Sequence, residues 1–178
     1  MVVGPGRQER SWIRGAQAGS VPDFEALFRE HWPRAYRAAY LVVQDASAAE
    51  DIAQEAFLSA VRNLDRFDRK RPFGPWLHRI VVNRAIDWAR ARTLRRETAE
   101  IESADDFDTG DLGTFSHGVA AGLSMLKPEH RAVIVLRYLL DYTPGEIADL
   151  LDVPRGTVNS RLRRGLDRLE EILDRERA

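Results

Sequence analysis

From Tyr142 to Leu169 the chain reads YTPGEIADLLDVPRGTVNSRLRRGLDRL, two helical segments separated by a tight break. Thr143, Pro144 and Glu146 mark the start of the first. A threonine N-cap, a proline at the first helical position and a glutamate reaching back form a capping box. Ile147, Leu150 and Leu151 line one face, and Asp152 and Val153 make the turn. Val158, Leu162, Leu166 and Leu169 then recur at spacings of three and four, so both helices pack through one apolar seam. That leaves Arg155, Thr157, Asn159, Ser160, Arg161, Arg163 and Arg164 facing outward. Fork-shaped donors on an exposed helix suit phosphates and guanine edges in a major groove. The competing reading is a solvated helical hairpin whose arginines only keep it soluble, since helix-turn-helix patterns are degenerate.

Working outward, the 178 residues are 44% hydrophobic and 31% charged, within the range of an ordinary globular chain of one domain or two small ones. There is no Cys, which removes disulfides, thiolate metal sites and cysteine nucleophiles and fits a reducing compartment. No apolar stretch approaches the roughly 20 residues of a spanning helix. The start MVVGPGRQER lacks the apolar core of a signal peptide. The expectation is a cytoplasmic protein without membrane insertion.

Net charge is only -1, but the charges are unevenly placed. Glu97, Glu100, Glu102, Asp105, Asp106, Asp108 and Asp111 run without an intervening Lys or Arg, between basic stretches Arg84 to Arg96 and Arg155 to Arg168. The segment TAEIESADDFDTGDLGTFSHG has little apolar periodicity and is predicted to be a flexible acidic linker. It divides the chain into a flexible tail over 1–20, a helical domain over 21–96, the linker over 97–117 and a second helical domain over 118–175. The fold class is all-α, because no run of alternating β-branched residues lies between turn signals. The acidic linker is further expected to lie against the basic helices and hold the free chain closed.

In the upstream domain, winding Ala49 to Leu64 on a helix puts Ile52, Ala53, Ala56, Phe57, Ala60 and Val61 on one side. Asp51, Gln54, Glu55 and Leu58 fall on the other. An apolar anchor ringed by carboxylates forms a patch for a basic protein partner, although a lone exposed leucine is ordinary. A later helix opens near Pro75, with Leu77, Val81, Ala85 and Trp88 as its buried stripe and Arg79, Asn83, Asp87 and Arg90 outside. Before it, LDRFDRKRPFGP interleaves Arg66, Arg69, Lys70 and Arg71 with Phe67 and Phe73. With Trp76, these supply the positive charge and flat apolar surface that single-stranded DNA requires. The bland reading places Phe67, Phe73 and Trp76 in a helical core.

Three stretches, AEDIAQEAFLSAVRNLDRFD, FGPWLHRIVVNRAIDWARAR and LSMLKPEHRAVIVLRYLLDYTPGEIADLLDVPRGTVNSRLRRGLDRL, together resemble the extracytoplasmic-function group of bacterial RNA polymerase sigma factors. The resemblance runs from Phe24 to Leu173. It implies two helical domains, regions 2 and 4, and a promoter-specificity subunit with no catalysis of its own. It implies that Asp51, Gln54, Glu55 and Leu58 dock on the β′ coiled coil of core polymerase, with the β flap as a further contact. It implies that the loop from Arg66 to Pro75, with Trp76, Arg79, Asn83 and Asp87, binds the non-template strand of the minus-10 element. Arg155, Thr157, Ser160, Arg161 and Arg164 would read the minus-35 element as duplex, and an anti-sigma factor would be an inhibitory partner. Two residues depart from the family pattern. Pro154 stands where a capping Ser or Asp is common, which puts the start of the recognition helix in question by a residue. Gly165 replaces a common alanine at a cost of about 1 kcal/mol to the helix.

Two other classes compete. A helix-turn-helix regulator binding duplex DNA alone leaves the patch around Glu55 and the basic loop around Phe73 unexplained. An enzyme acting on nucleic acid would need a site, yet His31, His78, His117 and His130 are scattered, with no paired-carboxylate metal motif or glycine-rich phosphate loop. No cofactor, metal or catalytic residue is therefore expected.

Overall fold

The computed structural model describes residues 6–99 and 117–177. Eight α-helices occur among them: α1 (Arg7–Gln17), α2 (Val21–Val43), α3 (Ala46–Asn63), α4 (Phe73–Ala99), α5 (His117–Ser124), α6 (Pro128–Tyr138), α7 (Pro144–Leu151) and α8 (Arg155–Arg177). A single 3-10 turn, Leu64–Arg66, follows α3. No strand occurs among the described residues. Most of the acidic linker lies outside them, so the expected contact of its carboxylates with the basic helices does too.

Side-chain caps set several helix starts. Ser20 accepts from the Asp23 amide at the head of α2, and Asp45 accepts from the Ala48 amide at 2.9 Å at the head of α3. Asp45 also pairs with Arg92 of α4 at 2.7 Å, so one carboxylate caps a helix and ties it to a neighbour. Along α2, Phe28, Trp32, Tyr36 and Tyr40 recur every fourth residue and stack in series. Phe57 of α3 packs against Phe28 at 4.8 Å.

The N-terminal residues depart from expectation. In place of a flexible tail through Ser20, Arg7–Gln17 forms a helix whose Ile13 is fully buried. Gln17 donates to the carbonyls of Leu64 and Phe67 at 2.8 and 2.9 Å, so α1 holds the turn that leads into the basic loop. Only Trp12, Ile13 and Ala16 of α1 face the core, one short apolar cluster among charged and polar residues, which is why sequence reading passes over it. Val61, expected inside, is 45% exposed.

In the downstream half, Leu123, Leu126, Val133, Leu136 and Leu140 are buried as the pattern requires. The capping box forms: Thr143 accepts from the Glu146 amide, while Glu146 accepts from the Thr143 amide at 2.8 Å. Asp152 takes a left-handed conformation (φ 54°) to close α7. Helix α8 begins at Arg155, with the Pro154 carbonyl accepting from the amides of Thr157 and Val158. Pro154 thus occupies the cap position directly before α8. Gly165 has a packing reason: a Cβ there would lie 3.0 Å from Ile134 Cδ1 and 3.3 Å from His130 Cβ. Its missing side chain lets α8 approach α6 closely.

The two halves are packed together. Helix α6 packs on α2 and α4, and α7 packs on α4, so one apolar core runs through both.

Candidate partner and nucleic-acid interfaces

On α3, Asp51, Gln54 and Glu55 are exposed, and Leu58 is 49% exposed. Leu58 and Val61 are three residues apart on one helix, which makes the apolar anchor wider than the single leucine expected. Glu55 pairs with Arg84 of α4 at 2.9 Å. Sequence reasoning missed Arg84, which lies 29 positions from its partner.

In the basic loop, Arg66, Arg69, Lys70 and Arg71 are exposed. Asp68 organises the turn, accepting from the Lys70 amide through its carboxylate and from the Arg71 amide through its carbonyl, both at 2.9 Å. The aromatic residues behave differently from the expected stacking platform. Phe73 is fully buried and Phe67 is 8% exposed. A ring enclosed on both faces offers no surface to a base, so both belong to the core. They form a floor for the half-buried Trp76, at ring separations of 4.6 Å from Phe67 and 5.6 Å from Phe73. His31 covers Phe73 from α2.

Beyond Trp76, Arg79 and Asp87 are exposed on α4, whereas Asn83 is half-buried. Asn83 donates to the Arg79 carbonyl at 2.8 Å and to the Leu150 carbonyl of α7 at 3.5 Å. A cleft of about 710 Å³ lies between the halves. Arg66, Arg71, Trp76 and Arg79 line one wall, and Tyr142, Glu146, Asp149 and Leu150 the other.

The seam beside this cleft is polar and buried. His78 Nδ1 and the Tyr142 hydroxyl are 2.8 Å apart. Burial pushes the His78 imidazole down to about 3, and the charges of His31 and Arg34 push the same way. Burial also raises the Tyr142 phenol, with Glu146 adding to it. Further along, Arg90 pairs with Glu129 at 2.5 Å. Burial alone would raise the Glu129 carboxyl, but its backbone hydrogen bond and Arg90 hold it below the usual range. Arg131 is buried on α6, and that burial lowers its guanidinium to about 10.

On α8, Arg155, Asn159, Arg163 and Arg164 are exposed, and Thr157, Ser160 and Arg161 are partly so. Ser160 turns its hydroxyl back to the Thr157 carbonyl at 2.9 Å, while the arginines continue outward along one helix. Among the described residues no three ligand-type side chains cluster to hold a metal, and no helix is long and apolar enough to cross a membrane.

These surfaces fall within matched families. Residues 27–95 match Sigma-70 region 2, and residues 119–169 match Sigma-70 region 4. The chain is 31% identical to the ECF RNA polymerase sigma factor SigW of Bacillus subtilis (strain 168), over 90% of this chain and 94% of that protein. It is 34% identical to the ECF RNA polymerase sigma factor SigM of Mycobacterium tuberculosis, covering 94% and 87% of the two chains. Its fold is similar to that of CnrH in complex with the cytosolic domain of CnrY, with a TM-score of 0.69, 28% identity and coverage of 94% and 97%. With both regions present in order and relatives matched over nearly their full length, the chain belongs to the ECF RNA polymerase sigma factors, which direct transcription initiation at promoters.

Proposed function

We propose that α3 is the polymerase-docking face, that the loop Arg66 to Pro75 with Trp76, Arg79, Asn83 and Asp87 holds the minus-10 strand, and that α8 reads the minus-35 duplex. The domain over 21–96 would then act as region 2 and that over 118–175 as region 4, joined by the acidic segment. One observation carries this reading: Leu58 and Val61 stand exposed among Asp51, Gln54 and Glu55. A regulator that needs only duplex DNA has no use for an apolar anchor ringed by acids, whereas a polymerase subunit must grip a basic protein surface. The chain supplies recognition and leaves the chemistry to polymerase. Charge on α8 positions it on phosphates, and bidentate arginine contacts select bases.

Phe67 and Phe73 leave the list of base contacts and become the support of Trp76. Extruding a base costs a few kcal/mol, which stacking on Trp76 and phosphate contacts from the loop offset. We also propose that the protein works in the cytoplasm and is held by an anti-sigma factor. The likeness to CnrH, seen with the cytosolic domain of CnrY, supports such a partner.

The test is co-elution of the purified chain with bacterial core RNA polymerase, with Glu55→Lys as the control. Stable binding that the substitution abolishes, at unchanged helicity and unfolding midpoint, is expected. Absence of binding, together with tight binding to duplex DNA alone, would replace this reading with that of a simple regulator.

A further inference from the structure

Helix α1 lies ahead of the stretch 27–95 that matches region 2, yet two of its side chains reach beneath the proposed minus-10 surface. The first is Gln17. Its Nε2 donates to the Leu64 carbonyl at 2.8 Å and to the Phe67 carbonyl at 2.9 Å, so one amide bridges the two ends of the 3-10 turn. The Leu64 carbonyl also accepts from the Phe67 amide at 3.1 Å, which leaves the turn closed on itself and tied to α1. The second is Glu9. Its carboxylate accepts from His31 Nε2 at 2.9 Å, where both side chains are mostly buried. His31 in turn lies against Phe73, with ring centres 5.1 Å apart.

Phe67 and Phe73 are the two rings on which Trp76 rests, and they meet each other at 5.9 Å. The three rings make a triangle, and α1 restrains two of its corners from outside. The helix is itself firmly seated. Ile13 is fully buried, and Gly15 lies so close to Asp23 of α2 that a Cβ there would overlap its carboxylate. Trp76 is only half-buried, so its indole has open surface for a base. Holding that surface in place before the strand arrives removes an ordering cost from binding.

We propose that α1 is the positioning helix of the minus-10 site: Gln17 and Glu9 fix Phe67 and Phe73, and those two rings set the pose in which Trp76 stacks on an extruded base. This rests on the assignment of Trp76 to the minus-10 strand and adds two positioning residues that act on the strand only through that ring.

The test uses holoenzyme assembled from core polymerase and the full chain. A promoter selected from a random pool with the parent holoenzyme supplies a fluorescent non-template minus-10 strand and a minus-35 duplex. Trp76→Ala should weaken strand binding about fivefold or more, the loss of one stacked base. Gln17→Met keeps the side-chain length and removes the donors, and Glu9→Leu removes the acceptor for His31. Each should weaken strand binding about threefold or more by misplacing the indole, with co-elution with core and binding of the minus-35 duplex unchanged. Glu9→Gln restores an acceptor and should bind the strand as the parent does. In the Trp76→Ala background Gln17→Met should add no further loss, because both substitutions remove the same contact. A loss as large in that background as in the parent overturns the proposal, since the effect then bypasses Trp76. So does parent affinity in Gln17→Met and Glu9→Leu, or equal loss in both Glu9 variants. Parent affinity in Trp76→Ala overturns both the proposal and the assignment of Trp76 beneath it. If Gln17→Met does not fold, the Glu9 pair, read in both backgrounds, decides.

Discussion

Two arginine-bearing helices in this molecule carry similar chemistry and stand in opposite situations. The outer face of α8 projects Arg155, Arg163 and Arg164 into solvent, on a helix positioned by a capping box, a left-handed turn at Asp152 and the close approach at Gly165. The outer face of α4 carries Arg79 and Arg90 but runs beneath the other half, with Asn83 and Arg90 already occupied by Leu150 and Glu129. Residue type therefore does not decide whether a nucleic-acid surface is available. What packs against it does: the half that presents α8 to solvent also lays α6 and α7 on α4.

The contrast is broken most strongly on the open helix. Arg161→Ala should weaken binding to the minus-35 duplex by about 1–3 kcal/mol if the guanidinium is bidentate to a base, with little change in stability. Fluorescence anisotropy against the selected duplex and a scrambled one separates the cases. Loss confined to the selected duplex marks base reading, and equal loss on both marks a phosphate contact.

The covered face responds to protons. His78 is buried and neutral, with a pKa of about 3 against 6.5 when exposed. Its contribution is fully present above pH 6.5 and is lost as pH falls below that value, at about 1.4 kcal/mol per unit. Between pH 7.5 and pH 5 the packed state should lose about 2 kcal/mol by this route. His130, also lowered by burial, adds in the same direction. Glu129, held below the usual carboxylate range, acts only at lower pH. Around His78 the charged or titratable neighbours are His31 and Arg34 from α2 and Tyr142 from the other half, and Glu9, Glu30 and Asp141 line the same pocket. Urea unfolding at the two pH values checks this, and His78→Gln should remove most of the difference. An unchanged slope in that variant would show that His78 does not carry it.

A smaller effect tests how the open helix is seated. Gly165→Ala gains helix propensity of about 1 kcal/mol, but its methyl would meet Ile134 and the Cβ of His130. Overpacking costs about 1–3 kcal/mol, so a net loss of about 1 kcal/mol is expected, read as a drop of a few degrees in the unfolding midpoint. A rise would mean that α8 can move off α6 without penalty.

The same comparison explains how far the sequence could be read. Much that is local was legible: the Thr143–Glu146 box, the apolar spacing of α6 to α8 with Leu166 as the exception at 36% exposed, and Leu58 left on an acidic face. Chain partners far apart were not. Phe73 looks identical to a base-stacking aromatic until His31 of α2 is seen covering it. Phe67 gives no sign that Gln17 of α1 holds its carbonyl. The His78 and Tyr142 pair spans 64 positions, and no periodicity links two residues through a seam that closes only when whole halves pack. Val61 was closer to reach, because its place three residues after Leu58 puts it beside that leucine on any helix.

The finest test concerns the docking face, which is open but not entirely unengaged. Glu55 pairs with Arg84 while both remain largely in water, and exposed pairs of this kind contribute about 0–1 kcal/mol to stability. Arg84→Ala should therefore leave unfolding almost unchanged. It also removes a positive charge from beside a patch proposed to receive a basic partner, so association with core polymerase should quicken by about two- to threefold at low salt and converge with the parent as salt rises. Stopped-flow association across a salt series reads this directly. A slower rate in the variant would mean that Arg84 belongs to the docking surface, making the patch mixed in charge where Asp51, Gln54 and Glu55 suggest it is acidic.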